Sequence, residues 1–99
     1  MRGRWIGEIP EHGGRWEFRI SQQYQLVEIE ANAGAERMTV LGARLRGEDV
    51  RIVANGLVRG RAWNQSFRGT LSGNTMAGEV RVSDGQQVRV LPWKASRQR

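Results

Sequence analysis

The sequence predicts an all-β domain: seven or eight short antiparallel strands joined as a meander and closing into an up-and-down barrel. A flattened two-sheet sandwich is the alternative arrangement. Thirteen glycines in 99 residues cut the chain into pieces too short for long helices. The pieces are rich in Val, Ile, Trp, Phe and Thr, which suit a pleated, half-buried surface. Apolar and polar residues alternate within them with a period of two, and turn chemistry recurs between them. Closure is expected because a closed meander leaves no sticky strand edge.

Taken in order, Trp5, Gly7 and Ile9 share one face, followed by a turn at Pro10-Glu11-His12-Gly13-Gly14. Trp16, Phe18 and Ile20 alternate next, then Val27, Ile29 and Ala31 face inward with Glu28 and Glu30 outward. A turn follows at Asn32-Ala33-Gly34-Ala35. Met38 and Val40 then give way to Leu41, Ala43 and Leu45, a change of phase that a bulge near Gly42 explains. After a turn at Gly47-Glu48-Asp49, Val50 and Ile52 alternate with Arg51, and Asn55-Gly56 reads as a hairpin turn. Phe67, Gly69 and Leu71 form the next inner face, a turn sits at Ser72-Gly73-Asn74, and Met76, Gly78, Val80 and Val82 follow. Ser83-Asp84-Gly85 turns the chain into a last strand with Val88 and Val90 inward. The predicted core is Trp16, Phe18, Ile20, Val27, Ile29, Val50, Ile52, Phe67, Val80 and Val88.

One stretch admits a second reading. Arg15 to Ala33 holds neither Gly nor Pro, and Ile20, Tyr24, Val27 and Ala31 also fit one helical face. A helix there would make the fold α+β. Two strands with a polar corner at Gln22-Gln23-Tyr24-Gln25 are favoured by the alternation on either side.

The chain is long enough for one core and no more, so residues 1–99 form a single domain. No apolar run approaches the roughly 18 residues of a membrane span. The start, Met1-Arg2-Gly3-Arg4-Trp5, has no apolar signal segment. Sixteen basic residues against ten acidic ones give a net charge of +6 and a pI near 11.4. Lys94 is the only lysine; every other base is arginine. The arginines are spread along the chain and alternate with apolar residues, as in Val80-Arg81-Val82, which is the pattern of a solvated strand face. A specific nucleic-acid site is therefore not expected, although arginine suits phosphate well.

The residues offer little chemistry. With no cysteine, a thiol nucleophile, a disulfide and a thiolate metal site are all excluded. His12 is the only histidine, too few for a triad or a histidine metal site. Glu28 and Glu30 read as a solvated strand face, and Glu48 and Asp49 as turn residues. Gly69, Gly73 and Gly78 sit among alternating strand residues rather than opening a helix, so they form no phosphate loop. No catalytic, cofactor-binding or metal residue is expected in this chain.

Two resemblances add to this. Gly3-Arg4-Trp5, repeated as Gly14-Arg15-Trp16, is similar to the glycine-then-tryptophan strand start of lipocalin-like barrels, where the indole plugs one barrel end. Over nearly the whole chain, a longer order of features recurs: Gly-x-Trp, then Trp16-x-Phe18-x-Ile20-x-Gln22-x-Tyr24-Gln25 and Leu41-x-x-x-Leu45-x-Gly47-x-x-Val50. Phe67-x-Gly69-x-Leu71-x-Gly73-x-x-Met76-x-Gly78 and Trp93-Lys94-Ala95-x-Arg97 complete it. This order resembles the C-terminal β-domain appended to some bacterial S-adenosylmethionine-dependent methyltransferases. The resemblance implies a cytoplasmic, non-catalytic accessory domain, a C-terminal piece of a longer chain with Met1 as an added start. Its partner would be the N-terminal catalytic domain of that chain, and its contribution substrate recognition, domain packing or oligomerisation. S-adenosylmethionine would bind that catalytic domain and not this one, because no Gly-rich strand-to-helix loop is present. A free-standing basic barrel that binds nucleic acid or a small apolar ligand is the alternative.

Overall fold

The computed structural model describes residues 3–12, 14–23, 26–34 and 36–98, with backbone alone at 22, 23, 26 and 27. Its elements are eight strands: β1 (Gly3–Ile9), β2 (Gly14–Gln23), β3 (Leu26–Ala33), β4 (Glu36–Arg46), β5 (Asp49–Val58), β6 (Arg61–Ser72), β7 (Thr75–Ser83) and β8 (Val88–Gln98). Each pairs antiparallel with its neighbours in sequence, and β1 pairs with β8, so the sheet closes into a barrel. The predicted up-and-down meander is the observed architecture. Arg15 to Ala33 forms strands and not a helix, paired from Trp16↔Ala33 to Gln23↔Leu26. Tyr24 and Gln25 of the expected polar corner lie outside the described residues.

The molecule measures 37 × 22 × 21 Å, a narrow cylinder. Eight strands leave an interior only wide enough for side chains. Trp16, Phe18, Ile20, Val50, Ile52, Phe67 and Val80 are buried as expected, and Ile29 is half-buried against them. The Val27 side chain lies outside the described residues. Trp5 and Ile9 on β1 and Met76, Val82, Leu91 and Trp93 on β7 and β8 complete much of the core.

The bulge falls where the change of phase placed it, between Val40 and Gly42. Leu41 is the extra residue and is 59% exposed. It absorbs the slip, so that Val40 opposite Ala54 and Ala43 opposite Ile52 both stay on the inner side. Without the bulge, one of the two halves of β4 would turn its apolar residues to solvent.

Two expectations are corrected. Asn55-Gly56 is not a turn: both residues lie inside β5, opposite Asn64 and Trp63. Asn55 faces outward, and its Oδ1 accepts a hydrogen bond from Asn64 Nδ2 at 2.5 Å. Gly56 is needed for space, since a Cβ there would collide with Met38 Sδ. The hairpin turns instead at Arg59-Gly60, with φ of 53° and 80°, the two positive values that a type I′ turn requires. The second correction concerns β8. Val88 and Val90 are 52% and 57% exposed, while Leu91, Trp93 and Ala95 are buried. A pleated strand keeps a single phase, and the set containing the indole has the larger apolar area.

Candidate anion-binding face

The interior is filled by rings. Trp16, Phe18, Phe67 and Trp93 meet one another at centroid distances of 5.2 to 6.1 Å, mostly edge to face. Gly69 and Gly78 lie opposite each other. Gly69 makes room for this packing, since a Cβ there would stand 3.0 Å from Trp93 Cζ2, and Gly78 lets β7 approach the β6 backbone, which a Cβ there would strike at Arg68 and Gly69. Among the described residues this central column leaves no lipocalin-like ligand chamber.

One end of the column is capped by His12. Its ring stacks on Trp16 at 6.0 Å and meets Trp63 edge-on at 4.9 Å. Its carbonyl accepts from the Trp16 indole at 2.8 Å, and its Nε2 lies 3.0 Å from Nε2 of the buried Gln65. Burial, and then the nearby Arg59 and Arg89, hold its pKa below the ordinary value. A neutral imidazole in this setting closes the barrel. Around it, Arg89 pairs with Glu11 at 2.6 Å and Arg61 with Asp84 at 2.9 Å. The Asp84 carboxyl is held low chiefly by the backbone N–H groups of Gln87 and Gln86, which donate to its Oδ1. The other end carries Trp5, buried as a core residue, with the Arg97 guanidinium 5.0 Å from its ring centroid.

The outer face carries the remaining charge. On β4, β5 and β6 the inward residues Ala43 and Leu45, Val50 and Ile52, and Phe67 and Gly69 bracket Arg44, Arg51 and Arg68 and turn them outward. The register places these three arginines directly opposite one another: Arg44↔Arg51 and Arg51↔Arg68. Arg46 flanks the row on β4, opposite Asp49; on β7 Glu79 stands directly opposite Arg68 and Arg81 flanks it. The surface is hollowed between the side chains, with Arg51 and Arg68 sharing two shallow depressions, one edged by Asp49 and the other by Ser66, Glu79 and Arg81. Dispersion along the chain is therefore not dispersion in space. The sequence reading missed this row: the turn at Gly47-Glu48 already implies the Arg44–Arg51 pairing, whereas the Arg51–Arg68 pairing depends on where the next hairpin turns.

The other residues weighed from sequence do not converge. Glu28 and Glu30 are exposed on β3, where Glu30 reaches Arg37 at 3.7 Å. Glu48 occupies a turn, and Asp49 opens β5 opposite Arg46. Gly69 and Gly78 are strand residues and Gly73 a turn residue. Among the described residues no group of three or more His, Asp or Glu side chains is placed to hold a metal. None of them forms a helix long and apolar enough to cross a membrane. No family model, curated protein or solved structure matches the chain.

Proposed function

We propose that this barrel is a non-catalytic accessory domain that acts through its outer surface, serving a cytoplasmic S-adenosylmethionine-dependent methyltransferase core. The observation that carries the reading is the ring-filled interior. A barrel whose axis is occupied by Trp16, Phe18, Phe67 and Trp93 has only its exterior to offer a partner. The order of glycines and aromatics, which resembles that of the C-terminal β-domains of those enzymes, is what suggests that partner. In this reading S-adenosylmethionine belongs to the catalytic core, whose strand-to-helix loop would hold it, while every described element of this chain is a strand. The catalytic domain would bind the cofactor, while the barrel contributes substrate recognition or packing. The experiment is to express the catalytic core and measure methyl transfer with the barrel fused, omitted and added in trans. A rise in KM when the barrel is omitted supports the reading. Unchanged kcat/KM, together with no association in trans, defeats it.

A further inference from the structure

We infer that the Arg44-Arg51-Arg68 row binds the phosphodiester backbone of duplex nucleic acid. This rests on the outer face alone and holds whether or not the barrel serves a methyltransferase. Directly opposed like charges destabilise a sheet, so the row of three costs the folded domain stability, which Glu79, opposite Arg68, offsets at one end only. Elsewhere on the surface five arginines have a carboxylate partner: Arg4 and Arg19 with Glu17, Arg37 with Glu30, Arg61 with Asp84, and Arg89 with Glu11, while Arg15 and Arg59 stand singly rather than in a row. Among the described residues, no carboxylate lies within the 4.0 Å of an ion pair from Arg44, Arg46, Arg51, Arg68 or Arg81. Asp49 and Glu79 share the face and leave it positive. An external anion is the missing counter-charge.

The geometry narrows the anion. Adjacent strands are roughly 4.8 Å apart, so the row spans roughly 10 Å across three strands. With the reach of their side chains, three guanidinium groups so spaced can meet about three phosphates of a duplex, whose charges follow one another every ~3.4 Å of axis on each strand. Guanidinium forks suit phosphate oxygens, and the hollows between Arg51 and Arg68 give the backbone a seat. The described aromatic side chains belong to the interior or its ends, so this face has no platform on which unpaired bases could stack. A duplex concentrates phosphate more densely than a single strand, and contacts to phosphate alone carry no sequence information. The site therefore prefers duplex over single strand and is indifferent to sequence.

The test compares two triple variants that lose the same charge. One is Arg44→Gln, Arg51→Gln, Arg68→Gln. The other is Arg4→Gln, Arg19→Gln, Arg37→Gln, on the ion-paired side. Fluorescence anisotropy with a labelled 20-base-pair duplex, across a series of salt concentrations, reads affinity and its salt slope. The row variant is expected to bind at least tenfold more weakly at low salt, with a slope shallower by about 2.7, while the control stays near wild type. Thermal melts check folding; if either triple variant fails to fold, Arg51→Gln against Arg19→Gln replaces the pair. Equal losses in the two variants would reduce the effect to net charge and overturn the site. So would tighter binding to the single strand, or equal competition by polyglutamate at matched charge.

Discussion

The Arg97 guanidinium lies over the Trp5 ring, 5.0 Å from its centroid, and joins the last strand to the first across the seam that closes the barrel. The Arg97 backbone N–H also donates to the Asn74 carbonyl at 2.8 Å, so the residue touches β1, β8 and the turn after β6 together. Arg97→Ala should lower stability by about 1–2 kcal/mol, through loss of the cation–ring attraction and of the stem that covers the indole. Arg97→Lys should recover only part of it. Urea unfolding monitored by tryptophan fluorescence checks both, and a variant as stable as the parent would show that the contact contributes nothing.

Phe67 and Val88 separate core from surface. Phe67 is 1% exposed and touches Trp16, Phe18 and Trp93. Phe67→Ala should cost about 3–5 kcal/mol, enough to unfold much of so small a domain. Val88→Ala should stay within about 0.5 kcal/mol, as for other exposed positions. Thermal melts of the two variants side by side give the comparison.

Most of the fold was legible because most strands carry a single unambiguous phase. Trp16-Phe18-Ile20 leaves no doubt which side is inner, and the slip from Val40 to Ala43 locates the bulge to within a residue. β8 misleads because Val88-Arg89-Val90 alternates cleanly in one phase and Leu91-Pro92-Trp93 in the other. Only packing decides between them. The arginine row was hidden by a turn. A hairpin at Asn55-Gly56 would pair Ala54 with Leu57, and hence Arg51 with Gly60. The true turn at Arg59-Gly60 is what brings Arg51 opposite Arg68. Asn-Gly is a local signal, and it lost to a tertiary demand, the need of Met38 for the space beside Gly56.

His12 makes stability depend on mild acid. Its pKa is lowered on folding from an ordinary 6.5, so the unfolded chain takes up the proton first as pH falls. The stability tied to the neutral ring is whole above 6.5 and drains as pH drops below it, down to the folded value. Glu17, held low by Arg19 and Arg4, and Asp84 act in a separate window, beginning below their ordinary 4.5 and 3.8. Urea midpoints should therefore fall between pH 7.5 and pH 5.5, and His12→Gln should flatten that stretch while leaving the more acidic one. An unchanged profile in His12→Gln would assign the mild-acid loss to another group.

Arg59 holds a left-handed conformation, with φ at 53°, that costs a branched-chain-free residue about 1–2 kcal/mol relative to glycine's freedom. Arg59→Asn should raise stability by a few tenths to about 1 kcal/mol, since asparagine tolerates this region better. It also removes a cation that disfavours protonation of His12. The same variant should therefore soften the mild-acid loss, and both effects can be read from a single set of pH-dependent unfolding curves.

Closure by β1 against β8 has a topological consequence. Seven of the eight pairings join strands adjacent in sequence, whereas the seam joins Arg4 to Gln98 across almost the whole chain. That one pairing bears most of the loop-closure entropy, so the seven-stranded ribbon has every reason to form before the cylinder does. The seam is also only one strand spacing wide. Linking its two sides and cutting the chain at the exposed Gly85 would leave every neighbour in place and move the late step to β7 and β8. The order of assembly is thus set by where the chain is cut, while the closed form is set by its side chains.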